Sequence, residues 1–170
     1  MALTVGTDSY LLLADADTYL SANYASTDAK MIVWTALTDA NCEAYLRKAT
    51  KTIDRQPLAG FKSTLSQTLE FPRTLYTEYA SELYNNSAII GDENWYTQPA
   101  VPDAVKYAEC EIALELAQGI PARMGLQRQG VKSFSLGNLS ESYAGKQNNI
   151  ISQEAKELLA PYINGGVRIC

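Results

Sequence analysis

The sequence has no histidine, so the commonest general base, the commonest transition-metal ligand and the usual switch near neutral pH are missing together. Its three cysteines, Cys42, Cys110 and Cys170, show no paired spacing and leave one over. That fits neither a disulfide framework nor a zinc site; they read as two small core residues and one at the chain end, in keeping with a reducing cytoplasm. Long apolar runs are also missing. "YLLLA" near the start and "AII" at 88–90 fall far short of the roughly 18 residues that a bilayer span requires, so no membrane is expected. No basic segment precedes "YLLLADAD", and Asp15 and Asp17 interrupt the run, which speaks against a secretory signal. A basic excess, the usual mark of a duplex-binding domain, is absent at a net charge of −5.

What is present is a foldable balance: 46% hydrophobic and 19% charged residues in 170, enough for one core and too few for two comfortable domains. Residues 1–170 therefore read as a single domain. Charge is uneven along it. Residues 1–60 carry 5 basic and 7 acidic groups, 61–120 carry 3 and 9, and 121–170 carry 6 and 3. An acidic middle and a basic end suit a chain that meets copies of itself, or an acidic partner, with opposite ends.

The pattern is mainly α: a small bundle of about four to five helices, one β-hairpin and a long loop near 81–100. The first helix is expected at the aspartates of "LADADTYLSANY", with Leu13, Tyr19 and Leu20 on one face, after an extended Tyr10–Leu12. A short helical piece around Lys30 to Leu37 puts Ile32 and Trp34 near the core. In "TDANCEAYLRKATKTIDRQP", Cys42, Tyr45, Leu46, Ala49 and Ile53 recur at helical spacing; Thr38 or Asp39 caps the start and Pro57 stops the run. Arg47, Lys48, Lys51 and Arg55 fall on the other side, a basic stripe that reads as a solvated face. A turn at Gly60, a short helical turn and an extended exit at Pro72 follow. "VPDAVKYAECEIALELAQG" is the clearest helix, with Pro102 and Asp103 at its start, a Val105, Ala108, Ile112, Leu116 stripe, and Gly119 as its stop. "VKSFSLGNLSESY" changes to period two around Gly137-Asn138, a hairpin pattern. A last short helix starts at Ser152 and ends near Pro161.

Chemistry is sparse. "GLQRQG" lacks both the preceding strand and the Lys-Ser/Thr of a phosphate loop. Glu109 and Glu111, two apart on a helix, point to different faces, and Glu111 and Glu115 share one but read as solvated surface. No enzyme and no cofactor are expected. The segment "TLEFPRTLYTEYA", Thr68 to Ala80, admits three roles: a surface on which bases stack, the mouth of a pocket, or a corner where a helical domain folds back on itself.

The order "YLLLADADTYL", "LRKATKTIDR", "SQTLEFPR", "VPDAVKYAECEIALEL", "GVKSFSLGNLSESY" and "ELLAPYI" resembles the head-tail connector (adaptor, or head-completion) proteins of long-tailed bacteriophages, some of which carry a DnaT-like single-stranded DNA-binding label. The likeness spans nearly the whole chain, and the block Gln67 to Arg73 is its most distinctive part. The resemblance implies a virion neck protein made in the host cytoplasm. It would form a homo-oligomeric, commonly dodecameric ring beneath the portal protein, pass genomic DNA without sequence-specific binding, and offer a floor for the next neck or tail-completion protein. On that reading Gln67, Phe71, Pro72 and Arg73 are structural: Phe71 anchors, Pro72 forces an extended exit, and Arg73 pairs with an acidic helix or a neighbouring subunit. Residues 152–170 read as a C-terminal docking arm for the portal or an adjacent subunit. Leu158, Leu159 and Tyr162 are its apolar contacts, Gly165-Gly166 its hinge, and Val167, Arg168 and Ile169 an extended tip suited to strand addition. A single-stranded DNA-binding module is the alternative, carried by eleven tyrosines and opposed by the net charge.

Overall fold

The structure is a computed structural model of the chain. It describes residues 2–76, 80, 95–119, 133–136, 139–142 and 152–163, with backbone alone for 133–136 and 139–142. Within these lie five helices, α1 (Leu13–Asn23), α2 (Ala29–Thr35), α3 (Asp39–Asp54), α4 (Asp103–Ala117) and α5 (Gln153–Leu159). Strands β1 (Phe61–Lys62), β2 (Arg73–Tyr76) and β3 (Trp95–Thr97) form an antiparallel sheet in the order β1-β2-β3. β4 (Ser133–Leu136) and β5 (Leu139–Ser142) pair as the expected hairpin, with Leu136 opposite Leu139. The fold is that of a small, mainly α domain.

Helix α4 is the axis of the body: α1, α2, α3 and α5 all pack on it. Its side chains from Ala108 to Leu114 are buried without a break, so it is enclosed on every side rather than along one stripe. Val105, Ala108, Ile112 and Leu116 are buried as their spacing predicts, and Gly119 leaves the helix at φ +83°. α3 lays Cys42, Leu46, Ala49 and Ile53 into the same core, with Thr38 at its N-cap but no side-chain cap bond from it. α2 is capped by Asp28, whose carboxylate accepts from the Lys30 amide at 2.8 Å. One expectation is corrected here: Trp34 is buried, but Ile32 is 55% exposed and Met31 takes the core position. A seven-residue helix has under two full turns, too few for spacing alone to fix its inner face. Replacing the buried Ile112 by Val should cost about 1 kcal/mol, read as a lowered urea midpoint at unchanged slope; an unchanged midpoint would remove Ile112 from the core.

The small sheet departs from the sequence reading. A strand, β1, stands where a short helical turn is expected, and β3 occupies the end of the segment read as loop; 81–94 lies outside the described residues, as does the Gly137-Asn138 turn. Gly60 makes β1 possible. Its φ is +70°, and a Cβ there would lie 2.1 Å from the Thr74 carbonyl oxygen.

The Phe71-Pro72 step, a cis peptide bond, is the corner of the domain. Phe71 is buried between the rings of Tyr10 (centroids 5.9 Å apart) and Tyr162 (5.6 Å), both edge-on. The Tyr10 hydroxyl donates to Asp54 at the end of α3 and accepts from the Phe71 amide. Gln67 braces the loop before the corner, donating to the carbonyls of Leu69 and Pro72 and accepting from the Thr64 amide. Of the three roles open to this segment, the corner is the one its core residues fill.

Candidate functional site

Strand alternation puts Phe61, Thr74, Tyr76, Trp95 and Thr97 on one face of the sheet, because Phe61 pairs with Thr74, Thr74 with Thr97 and Tyr76 with Trp95. Leu75, on the opposite face, is 1% exposed and enters the body. The outward face carries three large rings, one from each strand. Trp95 meets Phe61 at 5.1 Å and Tyr76 at 5.7 Å between centroids, both edge-on, so the rings hold one another in place. Phe61 remains 51%, Tyr76 42% and Trp95 47% exposed, and Leu65 just beyond β1 is wholly exposed. The Thr74 and Thr97 hydroxyls hydrogen-bond beside them at 3.0 Å. This face is the largest organised group of exposed aromatic side chains among the described residues, and the sequence reading missed it. Of its rings only Tyr76 falls within the segment Thr68 to Ala80, for which a base-stacking surface is one of the expected roles; Tyr79 of that segment lies outside the described residues. No local signal marks it, because period two cannot be read in strands this short, two of them separated by a long connection.

The stretch 77–94 that joins β2 to β3 contains Glu78, Glu82, Asp92 and Glu93 and no lysine or arginine. The basic groups of α3 divide differently: Arg47 binds Asp8 at 2.9 Å and Glu43 at 3.4 Å, while Lys48, Lys51 and Arg55 are exposed, the solvated face expected of them.

The carboxylates of α4 correct the reading of Glu111 as solvated surface. Glu109 and Glu111 do point to different faces, but both faces are interior. Glu111 accepts from the hydroxyls of Tyr19 (3.0 Å) and Tyr24 (2.6 Å), which burial and the carboxylate together push well above the usual tyrosine range. Glu115 pairs with Lys30 at 2.5 Å. Glu109, wholly buried, meets the Tyr10 amide at 2.9 Å through Oε2 and the hydroxyls of Ser9 (2.7 Å) and Thr50 (2.8 Å) through Oε1. Burial raises its carboxyl to about 7 against the opposing pull of these contacts. These groups bind the N-terminal segment, α1 and α3 to the central helix; Glu111, Tyr19 and Tyr24 also line an open cleft with Glu154 and Glu157, which Glu109 does not reach. An open cleft of about 870 Å³ lies between α1 and the start of α4, where Tyr19 stacks on Tyr107 (4.5 Å), and its one lysine, Lys106, is bound to Asp103. Among the described residues no three histidine, cysteine or carboxylate side chains gather as a metal site would require, and no helix is long and apolar enough to cross a membrane.

The expected docking contacts are redistributed. Leu159 is fully buried and Tyr162 is 6% exposed, packed on Phe71, so both hold α5 to this chain's own body instead of facing a partner; Leu158 is half-buried beside them. The Tyr162 carbonyl accepts from the Ala59 amide, which fastens the end of α5 to the segment before β1. Apolar spacing in a short helix marks what must be covered but not by which chain. Val167, Arg168 and Ile169 lie outside the described residues. Arg73 is likewise turned inward: its guanidinium pairs with Glu70, three residues earlier, at 2.5 Å and not with a helix.

A small helical domain presenting an aromatic sheet face matches, over residues 1–169, the family model described as "Putative DnaT-like ssDNA binding protein". The chain belongs to that family. No curated protein and no solved structure matches it.

Proposed function

We propose that this protein is a structural head-tail adaptor of a tailed-phage virion, a ring-forming protein that docks under the portal, extends the DNA channel and carries the next neck protein. The order of sequence blocks supports the reading, and the observation that carries it is the composition of the segment between two of the ring-bearing strands. A surface that binds single strands joins its rings to a positive groove, because phosphate neutralisation supplies much of the affinity. Here the connection between two of the ring-bearing strands carries four acidic and no basic residues. Exposed tyrosine and tryptophan suit a protein interface. Electron microscopy of the protein mixed with portal-bearing heads should reveal added ring density beneath the portal; heads without it would overturn the proposal.

A second reading, single-stranded DNA binding, is favoured by the family description and by the rings themselves, since Phe61, Tyr76 and Trp95 are half exposed and bases stack on aromatic side chains. Titration of a labelled oligonucleotide separates the two. Binding weaker than micromolar at near-physiological salt is expected, and submicromolar binding that weakens steeply with salt would promote the second reading.

A further inference from the structure

We infer that the outward face of α3, through Lys48, Lys51 and Arg55, is the surface this protein turns toward the phosphate backbone of DNA. The inference deepens the adaptor reading, on which it rests for its place, by naming the side of the subunit that faces the channel. Lys30, Arg47, Lys62, Arg73 and Lys106 each pair with a carboxylate. Lys48, Lys51 and Arg55 are exposed, and among the described residues none of the three has an acidic partner. At 3.6 residues per turn they fall within an arc of roughly 60° and along roughly 10 Å of the helix axis. The core residues Cys42, Leu46, Ala49 and Ile53 lie on the opposite side. Asn41, Ala44 and Thr52 share the cationic face, whereas Asp39, Glu43 and Asp54 do not; Glu43 is bound to Arg47 and Asp54 to Tyr10. Attraction to the helix dipole accounts for a cation in the last turn but not for Lys48, which stands before it. The occupant follows from these unpaired charges. Duplex DNA offers one negative charge per about 1.7 Å along its axis, so each of the three cations meets a phosphate wherever the helix lies along it. The short side chains beside them do not reach base edges, which leaves a contact that carries no sequence information. Three cations on a chain of net charge −5 hold DNA weakly, so that a channel wall built from this face guides the genome without retaining it.

The test is a nuclear magnetic resonance titration of the isotopically labelled full chain with a short mixed-sequence DNA duplex at low salt. The expected shifts cluster at Lys48, Lys51 and Arg55 and recur unchanged with a duplex of scrambled sequence. Affinity should fall about forty-fold between about 50 and 200 mM salt, the dependence for three neutralised phosphates. The triple variant Lys48→Gln, Lys51→Gln, Arg55→Gln should keep a nearly native urea midpoint, because all three side chains are exposed and glutamine is a comparable helix former, and should lose the shifts. No shifts, shifts centred elsewhere, or an affinity unchanged in the triple variant would each overturn the inference. Equal binding of poly-glutamate would also overturn it, by assigning the face to an acidic protein partner. Ring density added to portal-bearing heads alongside any of these results would leave the adaptor reading standing and remove only this face from the channel wall.

Discussion

Replacing Arg73 by Met should destabilise the isolated domain by roughly 3 kcal/mol or more, since it takes hydrogen bonds from a charged donor, each worth about 1.5–3 kcal/mol, away from two inward-turned carbonyls. Arg73 is 5% exposed, and its guanidinium closes a bracket around the corner of the fold. Nε donates to the Ala59 carbonyl at 2.6 Å and Nη2 to that of Gly60 at 2.6 Å, while Nη1 reaches the carboxylate of Glu70 at 2.5 Å. Its own amide donates to the Gln98 side chain at 2.8 Å, tying in the residue just after β3. Methionine fills the volume but leaves these acceptors without a donor, and carbonyls already turned inward lose hydrogen bonds to a charged group. Arg73→Lys should recover only part of the loss, because one ammonium cannot reproduce a planar fork serving acceptors on both sides of the turn. Glu70→Gln should cost about 1 kcal/mol or less, since Glu70 keeps 28% side-chain exposure and the carbonyl contacts survive. Urea titrations of the three variants give the order directly. If Arg73 acted between subunits, Arg73→Met would leave the monomer's midpoint unchanged and impair only assembly; that result would sink the bracket.

The helices were legible because their signals are local and long. Sixteen residues of α3 and fifteen of α4 repeat an apolar face often enough to be read, and Pro102, Gly119 and Ser152 mark ends by backbone chemistry alone. The three-stranded sheet was not legible, since β1 has two residues and β3 three, less than one clear alternation each. Period two cannot be counted in so short a run. That concealed the aromatic face, because Phe61, Tyr76 and Trp95 become neighbours only through the register of strands far apart in sequence. Arg73 was recognised as an anchor but given the wrong partner: its acceptors sit 3 to 15 residues back, brought round by the turn at Gly60. The buried glutamates show a different limit. A carboxylate is solvated in most helices, and the contrary signal in α4 was the unbroken Ala, Cys, Ile and Leu around Glu109 and Glu111, which leaves no polar side for them to face.

Glu109 should give the domain a stability that declines from mildly acidic to mildly alkaline pH, opposite to the usual behaviour of a salt-bridged carboxylate. Burial favours a bound proton, and the hydroxyls around the carboxyl leave room for one. Ser9 Oγ lies 2.7 Å from both Glu109 Oε1 and the Leu11 carbonyl, and Thr50 Oγ1 lies 2.8 Å from the same Oε1 and 3.0 Å from the Leu46 carbonyl. Each hydroxyl has one hydrogen and two acceptors. A protonated Oε1 resolves the shortage at one of them by donating to it, so that hydroxyl is free to donate to its carbonyl. Among the described residues no lysine or arginine makes a contact with Glu109, and Asp54 adds a repelling charge. With the folded carboxyl raised to about 7 and an unfolded value near 4.5, the native state holds more protons between those limits. Stability from this group is therefore complete below about pH 4.5 and is lost as pH rises through about 7, a change of roughly 3 kcal/mol at 1.36 kcal/mol per unit. Glu109→Gln keeps a donor at one end and an acceptor at the other and cannot ionise. It should match the native protein near pH 5 and exceed it at pH 8, whereas Glu109→Ala, which leaves the buried Tyr10 amide without its acceptor and empties the site, should be destabilised at both. Urea midpoints of the three proteins across this range provide the measurement. Parallel curves for the native protein and Glu109→Gln would mean that Glu109 is ionised in the folded domain throughout, with the Ser9 and Thr50 hydroxyls both turned toward it.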